Sequence, residues 1–136
     1  MLPQNATIPG AVEIVQQAQL PTCTYHWNIK VDRIRGYTDG QIAMKQANYK
    51  ILMTERFEHV IYSHGYGIEL LELFGQPIPY CVSEIKRRVT EALLHDDRNL
   101  DVTRFEFDLS RKETVQVEFR VHTIFGEIEM NLEVPV

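Results

Sequence analysis

The sequence predicts an α+β fold: an antiparallel or mixed sheet of about four strands, with about three helices packed on one face. Three observations carry this reading. Apolar residues alternate with period two just after Cys23 and again through about the last forty residues. Between those stretches they recur at spacings of three and four, as on a helix with one buried face. Pro, Gly and Asp punctuate the boundaries.

The elements follow in order. Tyr25, Trp27, Ile29 and Val31 alternate with polar residues and predict a first strand, after which "RGYTDG" turns the chain. Thr38 or Asp39 is placed to cap a helix, "GQIAMKQANYKILMT", with Met44, Ala47 and Ile51 on its buried stripe. "GIELLELFG" predicts a short helix ending at Gly75. "QPIPY" predicts an extended connection, because proline restricts its own backbone and that of the residue before it. A third helix runs through "CVSEIKRRVTEALLHDD", burying Val82, Ile85, Val89 and Leu93 while Lys86, Arg87 and Glu91 face out. Three strands close the chain: Phe105, Phe107 and Leu109 alternate, then Val115, Val117, Phe119 and Val121, then Ile128, Met130, Leu132 and Val134. "SRKET" makes the first turn of this meander and Gly126 marks the second. The first strand joins the meander once the helices fold back, which completes the four-stranded sheet.

Residues 1–22, punctuated by Pro3, Pro9, Gly10 and Pro21, are expected to form an N-terminal arm or tail, either frayed or ordered by a neighbour. Residues 23–136 are expected to form one domain. With 136 residues, 44% hydrophobic and 24% charged, the chain is long enough for a core of its own and has the composition of an ordinary soluble domain. A net charge of −5 argues against a nucleic-acid binder that tracks phosphates. No apolar run approaches the roughly 20 residues of a membrane span, and "MLPQNATIPG" lacks the basic and apolar regions of a secretory signal. Cys23 and Cys81 form no CxxC and are read as free thiols, with a disulfide as the alternative.

Catalytic and metal-binding patterns are weak. His59 and His64, five apart, suit neither a helical nor a strand pair of metal ligands, and His26 and His122 are expected to face solvent. There is no G-x-S-x-G elbow, and "HGYG" lacks the lysine and helix start of a phosphate loop. Glu55, Glu58, Glu69 and Glu72 include enough carboxylates for a glycosidase pair, but Glu69 and Glu72 sit three apart, as on one solvated helix face. No metal and no cofactor is expected.

The segments "DGQIAMKQANYKILMTERFEHVIYSHGYGIELLELFG", "EIKRRVTEALLHDD" and "VHTIFGEIEMNLEV" resemble the baseplate wedge protein of contractile tails. The resemblance covers residues 23–134 and is greatest to versions from PBSX-type defective prophages, related phages and R-type bacteriocins. More distantly the chain resembles the lysozyme-like wedge family, which includes the small wedge protein of large contractile phages and its type VI secretion counterpart. The resemblance implies a non-enzymatic subunit, assembled in the bacterial cytoplasm into a phage or phage-tail-like baseplate. Its implied partners are the larger baseplate wedge proteins, through their helical core bundle, the tail sheath protein, and tail tube or hub proteins. Neither nucleic acid nor membrane is implied. The domain is also similar to the interlocking handshake part of the sheath subunit. A peptidoglycan-cleaving, lysozyme-like hydrolase is the alternative reading.

The resemblance also implies site residues. The family carries a Gly-Glu-Arg or Glu-Pro-Arg triplet after its first helix, then an aromatic-glycine pair. Glu58 matches the glutamate and Tyr66-Gly67 the pair, while His59 stands at the arginine position, with one extra residue before Tyr66. Glu55 and Arg56 offer the same chemistry one turn earlier, since a guanidinium fork and carboxylates suit the ends of partner helices. Glu55, Arg56, Glu58 and His59 are therefore the residues expected to bind the wedge core bundle. On the last strand, Glu127, Glu129, Asn131 and Glu133 face away from the apolar set. They are expected to line an edge that accepts a strand from the sheath, their like charges discouraging pairing between identical copies.

Overall fold

The computed structural model describes residues 21–136; most of the expected N-terminal arm therefore lies outside the described residues. The order is β1 (Thr24–Asn28), β2 (Arg33–Thr38), α1 (Gly40–Leu52), a 3-10 turn at Leu71–Leu73, α2 (Ile78–Leu94), β3 (Asn99–Asp108), β4 (Thr114–Thr123) and β5 (Gly126–Pro135). The α+β class holds.

The sheet is not the expected four-stranded one. β1 pairs antiparallel with β2 in a separate two-stranded ribbon, and β3, β4 and β5 form a three-stranded antiparallel sheet in that order. The physical reason lies in "RGYT", read above as a turn: it is extended and supplies β1 with a local partner, so the reversal falls at residues 29–32 instead. Ile29 and Val31 consequently leave the strand and are exposed. A bulge between Tyr25 and Trp27 shifts the alternation, which turns Tyr25 outward to stack on Tyr37 at 5.0 Å and leaves His26 half-buried rather than facing solvent.

α1 starts where expected. Asp39 is the N-cap, its carboxylate accepting from Gly40 N–H at 2.8 Å and from the Thr22 hydroxyl. Ala43, Met44, Ile51 and Leu52 are buried, whereas Ala47 is only half-buried. Two buried amides do structural work on the same helix. Gln46 accepts from Trp27 N–H at 2.9 Å and donates to Tyr25 C=O at 2.8 Å, filling the outer edge of β1 as a strand would. Asn48 exchanges hydrogen bonds with Asn99 at the start of β3.

The expected second helix is a single 3-10 turn, so two α-helices stand among the described residues where about three were predicted. α2 begins earlier than expected, inside "QPIPY": Pro77 is its N-cap residue and Pro79 sits in the first turn. An N–H missing from the first turn costs the helix nothing, because those groups have no intrahelical acceptor. Ile85, Val89 and Leu93 are fully buried as predicted; Val82 is half-buried, and Cys81, Ala92 and the stem of Arg88 complete the face. Cys23 is exposed and Cys81 buried, and both are free.

α1 and α2 cover one face of the three-stranded sheet. Val115, Val117, Phe119 and Val121 of β4 and Ile128, Met130, Leu132 and Val134 of β5 point into the shared core, with Ile68 and Leu73 closing it from the loop between the helices. The third expected strand set is less regular: Phe105 and Phe107 are half-buried and Leu109 is exposed. His122 is also half-buried, its Nε2 2.8 Å from the Thr103 hydroxyl.

Candidate functional site

Two regions carry the residues that the sequence marks for binding. The first is the loop between α1 and the 3-10 turn. Its base is closed by backbone bonds from Arg56 N–H to Ile68 C=O (3.1 Å) and from Ile68 N–H to Thr54 C=O (3.0 Å), which makes it a compact excursion with its ends together. Gly67 permits that closure: its φ is +98°, and a Cβ there would stand 2.6 Å from the Thr54 carbonyl oxygen.

Glu55 and Arg56 work inward on this loop. The Glu55 carboxylate accepts from Leu70 N–H at 3.2 Å and Leu71 N–H at 3.3 Å, at the start of the 3-10 turn. The Arg56 side chain, 14% exposed, donates to Gly67 C=O at 3.3 Å and to Glu91 of α2 at 3.2 Å, with Glu69 at 3.8 Å. Arg88 adds a second clamp, reaching Glu69 C=O at 2.7 Å, Glu84 at 3.0 Å and Glu72 at 3.3 Å. Bonds from Arg87 and Arg88 hold the Glu84 carboxyl below its ordinary range. Glu69 and Glu72 are thus tied to the loop and to α2 rather than facing each other across a cleft.

Glu58 and His59 face outward at the far end of the loop, among exposed apolar side chains: Phe57, Val60 and Ile61. Phe57 sits at φ +70°, a conformation seldom adopted by a bulky residue. Tyr62 stacks on Tyr66 at 4.5 Å and takes the His59 ring edge-on at 5.9 Å, which stiffens the outer turn. The loop therefore holds all four predicted residues but divides them, with Glu55 and Arg56 bracing its base and Glu58 and His59 presented to solvent.

The second region is β5, which pairs only with β4 among the described residues. All ten of its residues keep an unbroken register with β4, from Gly126↔Thr123 to Pro135↔Thr114. The next residue fixes which peptide groups point outward. Val136 donates its N–H to Glu113 C=O at 2.9 Å, so even-numbered residues hydrogen-bond toward β4 and odd-numbered ones away from it. Glu127, Glu129, Asn131 and Glu133 thus direct their N–H and C=O groups off the sheet edge. Pro135 fits that parity, since proline is tolerated where the missing N–H would face outward.

The side chains of these residues lie on the open face, where β4 and the turn before it supply partners. Arg120 bonds Glu127 at 2.9 Å and Glu129 at 2.8 Å, and Gln116 donates to Glu133 at 2.6 Å with Arg111 3.5 Å away. The acidic row is therefore partly offset from within. The opposite edge is built differently. β3 breaks register twice against β4, between Asn99 and Asp101 and between Thr103 and Glu106, with Arg104 at φ +55°. Bulges of this kind twist an edge away from further pairing.

Sequence reasoning missed Arg88, Gln46 and the exposed apolar tip. Arg88 lies three residues after Ile85, inside the buried stripe, and that position is its only signal. Gln46 gave none, because a helix-borne amide that completes a strand edge needs the tertiary arrangement to be visible.

A family model described as the contractile injection system sheath initiator matches residues 23–126. The phage-like element PBSX protein XkdS of Bacillus subtilis (strain 168) is 34% identical over 122 residues, covering 87% of this chain and 83% of the relative. The fold also matches a chain in the six-fold symmetrised cryo-EM structure of the anti-feeding prophage (AFP) baseplate, with a TM-score of 0.55 and 22% identity over 74% of this chain and 85% of that one. These findings agree with the sequence resemblance to PBSX-type contractile-tail proteins, and the chain belongs to the family of contractile injection system sheath initiators.

Proposed function

We propose that this protein is a non-enzymatic baseplate subunit that starts the tail sheath by accepting a strand from the first sheath subunits along β5. The carrying observation is the contrast between the two sheet edges. β5 offers outward peptide groups over an unbroken ten-residue register, while β3 is bulged in two places. An added strand gains main-chain hydrogen bonds along β5, and side chains at alternate positions supply specificity.

The loop tip is the second contact in this reading. Glu58, His59 and the apolar residues beside them bind the helical bundle of the larger wedge proteins, while Glu55 and Arg56 hold the loop in shape for it. Tail tube or hub proteins are further neighbours, and assembly takes place in the bacterial cytoplasm. The engagement of Glu55, Glu69 and Glu72 with backbone amides and arginines supports a binding role over acid–base chemistry.

Proline at Glu129 or at Asn131 tests the edge, because it removes an N–H that points away from β4 and leaves the β4–β5 ladder whole. Baseplates are expected to form and to contain the variant, with no extended sheath by electron microscopy. Sheaths of normal length on those baseplates would overturn the proposal.

A further inference from the structure

We propose that the apolar cleft between β5, α1 and β1 is a specificity pocket that receives one large apolar side chain of the strand added to β5. This inference rests on strand addition at that edge and names what the incoming segment must carry. The cleft, about 190 Å³, is lined by Trp27 and Ile29 on one side, by Ile42, Lys45 and Tyr49 of α1, and by Met130 and Asn131 on the β5 side. A cavity of roughly 150 Å³ already accommodates benzene, so the space suits a single leucine- or phenylalanine-sized group. Ile42 is 62% exposed and Ile29 45% exposed, so both offer apolar surface that an inserted side chain would cover.

The position of the cleft identifies its occupant. Directly opposite residues of neighbouring strands share a face, and Met130 faces the helices. A residue opposite Met130 on an added strand therefore points into the cleft. The residues on either side of it fall opposite Glu129 and Asn131, on the open face. Among the described residues, only one edge of the cleft is open to pairing at this level. β5 directs its Glu129 and Asn131 peptide groups toward the cleft side, whereas the Tyr25 and Trp27 groups of β1 are already taken by Gln46. Glu129 remains 79% exposed despite its bond to Arg120, so a lysine or arginine opposite it finds an accessible carboxylate. The occupant is thus an extended sheath segment with a large apolar residue opposite Met130 and a cationic one next to it, opposite Glu129.

The test compares four variants in the strain that produces the particle: Ile42→Glu, Ile29→Glu, Ile42→Leu and Glu129→Pro. Incorporation is read by mass spectrometry of purified baseplates, sheath growth by electron microscopy, and folding by the unfolding midpoint of the isolated protein. Both glutamate variants place a charge against the buried side chain, on different structural elements, so a folding defect in one leaves the other informative. They are expected to enter baseplates yet give about tenfold fewer extended sheaths, with Ile42→Leu, which keeps the lining apolar, losing far less than Ile42→Glu. Normal sheaths with both glutamate variants, while Glu129→Pro stops growth, would overturn the pocket and leave the edge standing. Normal sheaths with Glu129→Pro as well would overturn the edge and the pocket together. Loss of sheath with the glutamate variants but not with Glu129→Pro would assign the cleft to some other contact and overturn the proposal as stated.

Discussion

Asn48 and Asn99 face each other inside the core and exchange two amide hydrogen bonds, at 2.8 and 3.2 Å, with the Asn99 amide also donating to Leu93 C=O at 2.8 Å. One small polar cluster thereby joins α1, the end of α2 and the start of β3. Asn99→Ala leaves the Asn48 amide and the Leu93 carbonyl without these partners, and a stranded buried polar group costs about 1–3 kcal/mol. A loss of that size is expected in urea unfolding. Asn48→Ala and the double variant complete a cycle in which the double variant costs less than the two single changes summed.

The buried stripe of α2 makes a larger demand. Leu93 is fully buried against the sheet. Leu93→Ala is expected to cost roughly 2–5 kcal/mol, the range for a leucine whose cavity does not collapse. A shift in unfolding midpoint equivalent to well under that range would mean the helix packs differently.

The loop residues separate into two classes by measurement. Arg56→Ala removes a mostly buried guanidinium from Gly67 C=O and Glu91, and hydrogen bonds to charged groups contribute about 1.5–3 kcal/mol. It should destabilise the isolated protein. Glu58→Ala and His59→Ala, at exposed positions, should change stability by no more than about 0.5 kcal/mol and should reduce incorporation into baseplates instead. Unchanged incorporation with a Glu58→Ala, His59→Ala double variant would remove the loop tip from the wedge contact.

Acid sensitivity should centre on Asp96. Burial works against its charge, its side chain being 9% exposed, but the hydrogen bonds and charge of Arg98 outweigh that and hold the carboxyl below the ordinary range. A folded-state value below the unfolded one, about 3.9, contributes stability that is fully present above that pH. The contribution is lost as pH falls through the folded value. Asp96→Asn should therefore be less stable than wild type near neutrality, and the gap should narrow below about pH 4. A gap that stays constant down to the acid limit would detach Asp96 from the acid response.

Much of this fold was legible because its signals are local. The alternation of Val115–Val121 and Ile128–Val134 marks two strands, and the capping side chains Thr38 and Asp39 announce a helix start, which Asp39 makes. What stayed hidden depends on partners distant in sequence. The Tyr25 side of β1 looked fit to join the main sheet until Gln46, 21 residues away, took its edge. "RIRGYT" has too little apolar alternation to read as a strand, since every residue but the last is exposed. For the candidate site, β5 and the polarity of its two faces were readable, whereas the inward bonds of Glu55 and Arg56 were not. Their bonds run to Leu70, Gly67 and Glu91 and appear only once the loop closes on α2.

The most direct measurement is a cryo-EM map of the assembled baseplate with its first sheath ring, at a resolution that traces strands. A sheath segment is expected about 4.8 Å from β5 along Glu127–Glu133, the spacing of hydrogen-bonded neighbours in a sheet. An edge left bare, or covered by a helix or by side chains without strand pairing, would contradict it.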